Sequence, residues 1–310
     1  PMMHKAIAAV RAKSATVPMV VLYEDQPTND FKPLFMMTQG LMAGPKSYLQ
    51  DFDGVFVMAS GTSFYAPCSP PGTVDLGFSA TAMHWLRRTP CHIKAALHSA
   101  MATPEENAQY AAQADKDWRR ILQQRASEMK SGAKAVFVNF STDEGGRYLG
   151  NTASAPGGPA VSMHAKFSEI WASFASKGTI SQAEYEATNF PQHYRTEAQY
   201  TAALTESDSA VAAAGLKLLD VHSIITPCPY RAGWLAGKYE SPEAFAADYI
   251  GTLRSWSSGV FLTGLSDDRS ADEKQSIVDA FYGAYQADVA SNPDGHGMDY
   301  VHAVLTVCKE

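Results

Sequence analysis

Val17 to Phe31 reads VPMVVLYEDQPTNDF: an unbroken apolar run, then two acids, then a turn rich in proline and asparagine. A valine-rich run of this kind suits a strand buried on both faces of a parallel sheet. Glu24 and Asp25 follow at its carboxyl end, where open α/β sheets bind their ligands and an acid can accept both ribose hydroxyls of a nucleotide cofactor. A capped turn with solvated acids accounts for the same residues when they are read alone. Upstream, Met2 to Ala12 has the apolar spacing of a helix, and downstream Gly54 to Ser60 (GVFVMAS) repeats the strand signal.

Beyond that second run lies Gly61-Thr62-Ser63-Phe64-Tyr65. It is no nucleophile elbow, because Phe64 and Tyr65 stand where a second glycine is required. Phe78 to Leu86 reads as an apolar helix start that presents the polar tips of His84 and Trp85, both able to donate to an anion. Thr103-Pro104-Glu105-Glu106 then supplies an N-cap, a first-turn proline and a capping-box glutamate. The helix it opens carries Ala111, Ala114, Trp118, Ile121, Leu122 and Met129 on one face, with Gly132 as its stop. Ala135 to Phe140 is a third buried strand, and strand, helix, strand in this order predicts right-handed crossovers and a doubly wound sheet.

From Asp143 the texture changes. A glycine- and proline-rich loop, Asn151 to Pro159, leads to a helix over Ser162 to Ser176, and Ser181-x-x-Glu184 opens another. Leu216 to Thr226 reads as a strand returning to the sheet, followed by helices Pro242–Leu265 and Ala271–Ala290 and a last strand over Tyr300 to Cys308. The expected organisation is an α/β cofactor-binding domain over 1–142, a helical cap over 143–215, and a return to the sheet over 216–310. A second helical cap segment lies at about 230–268 in this reading.

Composition narrows the function classes. Lys and Arg number 25 against 32 Asp and Glu, a net charge of -7, which lacks the basic footprint of a nucleic-acid binder. No apolar run approaches the roughly 20 residues that cross a bilayer. Cys68, Cys91, Cys228 and Cys308 stand singly, with no CxxC pair for zinc, so reduced thiols in a cytoplasmic protein are expected.

In order along the chain, EDQPTNDF (24–31), GTSFY (61–65), FSATAMHWLRRTP (78–90), DWRRILQQRASEMKSGAKAVF (117–137) and SKGTISQAEYEATNFPQHYRT (176–196) resemble five blocks of the SABATH methyltransferases. Members of that family methylate salicylate, benzoate, jasmonate, indole acetate and xanthines. The wording of DEGGRYLGNT (143–152) and YVHAVLT (300–306) is closer to bacterial relatives. The resemblance implies a Rossmann-like class I methyltransferase sheet with a mostly helical cap, S-adenosylmethionine as cofactor and S-adenosylhomocysteine as product. It makes Asp25 the ribose acceptor, with Gln26, Ser63 and Phe64 about the adenine. His84 and Trp85 would flank the acceptor acid, the Trp85 indole donating to its carboxylate. Thr81, Met163, His164, Leu253, Trp256 and Tyr300 would complete the pocket, Thr81 standing where plant members often carry tyrosine. A magnesium ion beside Glu186 and Asn189, as some relatives show, is not expected. The working form expected is a homodimer.

One departure stands out: the family's first strand and its DxGCxxGxNS-like glycine loop do not occur in this sequence. A sheet without that strand would expose a long apolar edge, so the expectation is a sequence that begins late in its protein rather than a truncated relative. The reaction implied is in-line displacement, with a carboxylate oxygen attacking the sulfonium methyl to give a methyl ester. A carboxylic acid has a pKa near about 4, so it arrives ionised and needs no general base. N-methylation of a small heterocycle and ligand binding without catalysis are the rival readings.

Overall fold

The computed structural model describes residues 2–44, 46–206 and 209–310. In chain order its main elements are α1 (Met2–Arg11), β1 (Met19–Asp25), α2 (Lys32–Thr38), β2 (Val55–Gly61), β3 (Val74–Ala80), α3 (Pro104–Glu128) and β4 (Met129–Phe140). Next come α4 (Met163–Ser176), α5 (Gln182–Ala187), α6 (Glu197–Thr205), α7 (Ala210–Ala213), β5 (Leu216–Thr226), α8 (Pro229–Leu235), α9 (Pro242–Gly264), α10 (Ala271–Ser291) and β6 (Tyr300–Lys309). Helix starts follow local chemistry. Thr103, Ser181 and Ser270 each close a full capping box, and the Ser162 and Ser241 side chains accept from the first turn of α4 and α9.

The strands lie in two sheets rather than one. β1 pairs in parallel with β2 alone, while β3, β4, β6 and β5 form a four-stranded sheet in that order. β3 and β4 are parallel, and β6 runs antiparallel to both β4 and β5. β3 was not expected as a strand: Phe78 to Ala80 ends it, and His84 and Trp85 stand in the turn beyond rather than at a helix start. The long helix also ends earlier than expected. Met129 is already extended (ψ 137°) and begins β4, and Gly132 lies inside that strand with φ 82°.

Two cores flank the four-stranded sheet. On one face Trp118, Ile121 and Leu122 of α3 meet Phe137 of β4, Leu305 of β6, Tyr200 of α6 and Val211 of α7. The Trp118 indole donates to the Tyr200 carbonyl at 2.9 Å, so its polar tip is not stranded. The larger core is helical and aromatic: Phe167 and Trp171 of α4, Phe245, Tyr249 and Phe261 of α9, and Phe281 and Tyr285 of α10. Phe261 and Phe281 rings lie 4.2 Å apart, centroid to centroid. Burying such a side chain stabilises by about 1.5–3 kcal/mol.

Candidate functional site

Two groups of predicted residues gather at the carboxyl ends of the parallel strands. The register places Asp25 opposite Gly61, so the loops leaving β1 and β2 run side by side, and the Thr62 N–H donates to the Asp25 carbonyl at 3.0 Å. Asp25 is exposed; its Oδ1 accepts from the Gln26 N–H at 2.7 Å and its Oδ2 from Asn29 at 3.1 Å. A carboxylate has about four acceptor sites. Two are thus used to shape the turn, and the remainder can take ligand hydroxyls. The capped turn is present, and it leaves acceptor capacity on this acid. Gln26 and Ser63 are exposed beside it, and Phe64 is half-buried against Tyr65 with ring centroids 4.6 Å apart. Arg125 of α3 fixes this loop, donating to the carbonyls of Phe64 (3.0 Å) and Ala66 (2.9 Å) and pairing with Glu128. Burial pushes the neighbouring Glu24 carboxyl up to about 7, against the pull of Arg125.

The second group surrounds the turn after β3. Thr81 has φ 54°, a left-handed conformation that a β-branched residue adopts only under constraint, and its N–H still donates to the Val138 carbonyl. This turn directs residues 84–86 back against 191–193: the His193 N–H donates to the His84 carbonyl, and the Leu86 N–H to that of Pro191. His84 then lies 4.7 Å from the Phe140 ring, 5.7 Å from Tyr194 and 5.9 Å from Trp85. Phe140 stacks on His302 (5.3 Å) and Tyr300 (5.8 Å). His164 meets the Tyr194 hydroxyl at 3.0 Å, and His98 stacks on His164 at 4.1 Å. Phe167 links this group to Trp256 (6.2 Å), with Met163 and Leu253 fully buried in the same core.

Of the predicted pocket residues, His84, Trp85, Met163, His164, Leu253, Trp256 and Tyr300 therefore share one aromatic core, and Thr81 stands exposed at its edge. The two groups touch: the Tyr65 hydroxyl, beside Phe64, donates to the Trp85 carbonyl at 2.6 Å. Sequence reasoning did not single out Phe140, His98, His193, Tyr194 or His302 as site residues. Burial holds every histidine of the set below its ordinary value: His193 and His302 to about 4, His164 to about 3, His84 and His98 well below 6.5. All are neutral at physiological pH. Two surface cavities, of about 240 and 420 Å³, lie elsewhere.

Residues 2–220 match the family model for SAM-dependent carboxyl methyltransferases. The chain belongs to the carboxyl methyltransferase family. O-methyltransferase acrG of Aspergillus aculeatus is 26% identical over 286 residues, 89% of this chain and 72% of its own length. An indole-3-acetate O-methyltransferase of rice (Oryza sativa subsp. japonica) is 26% identical over 64% of this chain and 52% of its own. A gibberellic acid methyltransferase of Arabidopsis thaliana is 25% identical over 58% of this chain, which spans 47% of that relative. The chain thus covers about half the length of these plant carboxyl methyltransferases. A loganic acid methyltransferase solved with S-adenosylhomocysteine superposes over 99% of this chain and 80% of its own, with a TM-score of 0.71 at 17% identity. The fold is that of a class I methyltransferase, built here on two sheet pieces.

The residues present suit one end of the family's cofactor. Asp25 keeps carboxylate lone pairs that its own turn does not use, and the Phe64 ring lies on the loop leaving the neighbouring strand; an acceptor for ribose hydroxyls and an apolar ring face for an adenine are what that end requires. Glu186 and Asn189 are arranged differently. Glu186 is exposed and accepts from Gln182 at 3.0 Å, whereas Asn189 is buried and uses its amide on Ile93, Ala96 and Thr188. Among the described residues no group of three His, Cys, Asp or Glu is placed to hold a metal ion.

Proposed function

We propose that this chain esterifies a small carboxylic acid with the methyl group of S-adenosylmethionine. The observation that carries the reading is the joint at Tyr65 and Trp85, a hydrogen bond that ties the loop leaving β2 to the turn bearing His84 and Trp85. When bound, the cofactor supplies a methyl group on a positively charged sulfur. Asp25 would hold its ribose, with Gln26, Ser63 and Phe64 about the adenine. Trp85 presents one N–H to an acceptor oxygen, and His84, Tyr300 and Trp256 enclose the rest of the acid. Thr81 edges that pocket, and Met163, His164 and Leu253 shape its helical side. The layer of α4, α9 and α10 acts as the cap that excludes water. Positioning of this kind can supply roughly 7–11 kcal/mol of a displacement barrier.

The lowered histidine values favour an acid over a heterocycle. A carboxylate is ionised before it binds, while a nitrogen acceptor that must lose a proton would find only weak bases here. Methyl transfer from labelled cofactor to a panel of aromatic and aliphatic acids, with xanthines alongside, tests the proposal. Ester formation supports it. Labelled N-methyl products with no esters would replace it by the heterocycle reading. Binding of S-adenosylhomocysteine without any transfer would point to a non-catalytic relative. In calorimetric titration Asp25→Asn should weaken S-adenosylhomocysteine by about tenfold to a hundredfold, the worth of one charge-assisted bond. The reading extends to a cytoplasmic homodimer, for which four free thiols support the compartment and sedimentation analysis would test the dimer.

A further inference from the structure

We infer that Arg195 is a positioning residue for the acceptor site, holding the turn that carries His84 and Trp85, a role that rests on the acceptor-acid reading of that turn. Both backbone polar groups of Met83, the residue before His84, are held by buried side chains from elsewhere in the chain. The Met83 N–H donates to Asn139 Oδ1 of β4 at 3.2 Å, and its carbonyl accepts from Arg195 Nη1 at 3.1 Å. Arg195 also donates through Nη2 to the Ala114 carbonyl of α3 at 2.6 Å, so one guanidinium ties the turn to the long helix. Its own backbone is anchored just past β4, where the Arg195 carbonyl accepts from the Ser141 hydroxyl at 2.8 Å and the Thr142 N–H at 3.2 Å. Asn139 and Arg195 are 0% and 1% exposed, so water does not compete for these bonds.

Packing alone does not account for an arginine here. A buried guanidinium gives up its hydration, and an apolar side chain of similar volume often serves such a place as well or better. What the guanidinium adds is a rigid fork of donors, able to reach carbonyls on two separate elements. The Tyr200 and Trp118 rings, with centroids 5.3 and 6.0 Å from its central carbon, hold the fork in that direction. The turn needs such a hold, because it begins at Thr81 with φ 54°, and a strained backbone persists only where its surroundings over-determine it. Freed of its tie, the Met83–His84 peptide group can rotate and carry His84 and Trp85 out of line. A misplacement of about 1 Å can cost about a hundredfold in rate. The cofactor loop would not follow, since Arg125 holds the Phe64 and Ala66 carbonyls independently.

Steady-state kinetics on the full chain test this, with whichever of benzoic, phenylacetic and octanoic acids it esterifies fastest. Arg195→Met keeps much of the volume and removes the fork. Acceptor kcat/KM should fall by about tenfold to a hundredfold, while the Kd of S-adenosylhomocysteine stays within about twofold. Arg195→Lys keeps the charge but can reach only one of the two carbonyls; it should lose about threefold to tenfold, and it decides where Arg195→Met does not fold. Val211→Ala opens the same core without touching the turn, and should lower the melting temperature while leaving acceptor kinetics on folded protein unchanged. Acceptor kinetics unchanged in either Arg195 variant would overturn the inference. So would equal losses in Arg195→Met and Val211→Ala, or a cofactor Kd that weakens as much as acceptor turnover, since these mark a loosened fold. An unaltered chain that esterifies none of the three acids would remove the proposed activity and this role together. Esterification indifferent to the residue at position 195 removes the role alone and leaves the activity standing.

Discussion

Trp85 is half-buried on a turn held from two directions, by Tyr65 on its carbonyl and by the 191–193 segment alongside. Those bonds use its backbone, so Trp85→Phe should leave the turn intact and remove only the indole donor. Acceptor turnover should fall by about tenfold to a hundredfold with the cofactor Kd unchanged, as measured on folded protein. A lowered melting temperature with unaltered kinetics would make Trp85 a packing residue. The histidines give a second test. His164, His193 and His302 have folded values of about 3, 4 and 4 against 6.5, so the folded chain binds fewer protons than the unfolded one between about pH 4 and 6.5. Their contribution is full above 6.5 and is lost as pH falls, at about 1.4 kcal/mol per unit for each histidine. The urea midpoint should drop clearly from pH 7 to pH 5, with a shallower slope in His302→Phe. A midpoint that does not move would contradict the neutral burial of these rings. Single residues were unevenly legible: Asp25 and His84-Trp85 sit in short motifs, whereas His98, His193 and His302 come together only through tertiary pairing, which no local pattern encodes.

At the scale of elements, helices could be read because their start signals are local. Thr103, Ser162, Ser181, Ser241 and Ser270 all cap as their sequences predict. β3 escaped because Asp75 and Gly77 interrupt its apolar residues, so VDLGFSA lacks the unbroken apolar run of a buried strand. Gly77 carries a different signal: a Cβ there would stand 3.0 Å from that of Ala135, so glycine permits the close approach of β3 to β4. Gly132 misled because glycine stops helices and also bends strands. One junction of elements can be tested directly. Glu184 at the start of α5 is buried and receives Arg269 Nε at 2.5 Å and Nη2 at 2.8 Å, together with the N–H groups of Ser181 and Ser266. These bonds hold its carboxyl well below the usual range and tie α5 to the loop between α9 and α10. Glu184→Gln removes the charge from this site and should cost about 2–3 kcal/mol in urea unfolding. A loss under about 0.5 kcal/mol would mean that the packing of α5 against the α9–α10 loop does not depend on this tie.

The whole molecule was legible through resemblance more than through periodicity, since five ordered motifs carried the class I fold while strand patterns alone missed one strand and the division of the sheet. That division has a consequence for how the molecule opens. Among the described residues, β1 and β2 pack on a small core of Ile7 from α1, Val21 from β1 and Tyr48 from the segment before β2, and they leave Val20, Leu22, Phe56 and Met58 exposed. Units with little buried apolar surface open at lower free energy than the rest of a protein. Amide hydrogen exchange should therefore be fastest among strand residues over 19–25 and 55–61, and slowest over 133–140 and 301–307. Because the proposed cofactor crevice lies on the weaker unit, S-adenosylhomocysteine at a hundred times its Kd should slow local exchange there by about a hundredfold, or about 2.7 kcal/mol. Amides that exchange from the central sheet by their own openings should keep their rates. Uniform protection across both sheets, with or without ligand, would show that the two pieces open as one, and the cofactor would then find a rigid cradle instead of tightening a loose one.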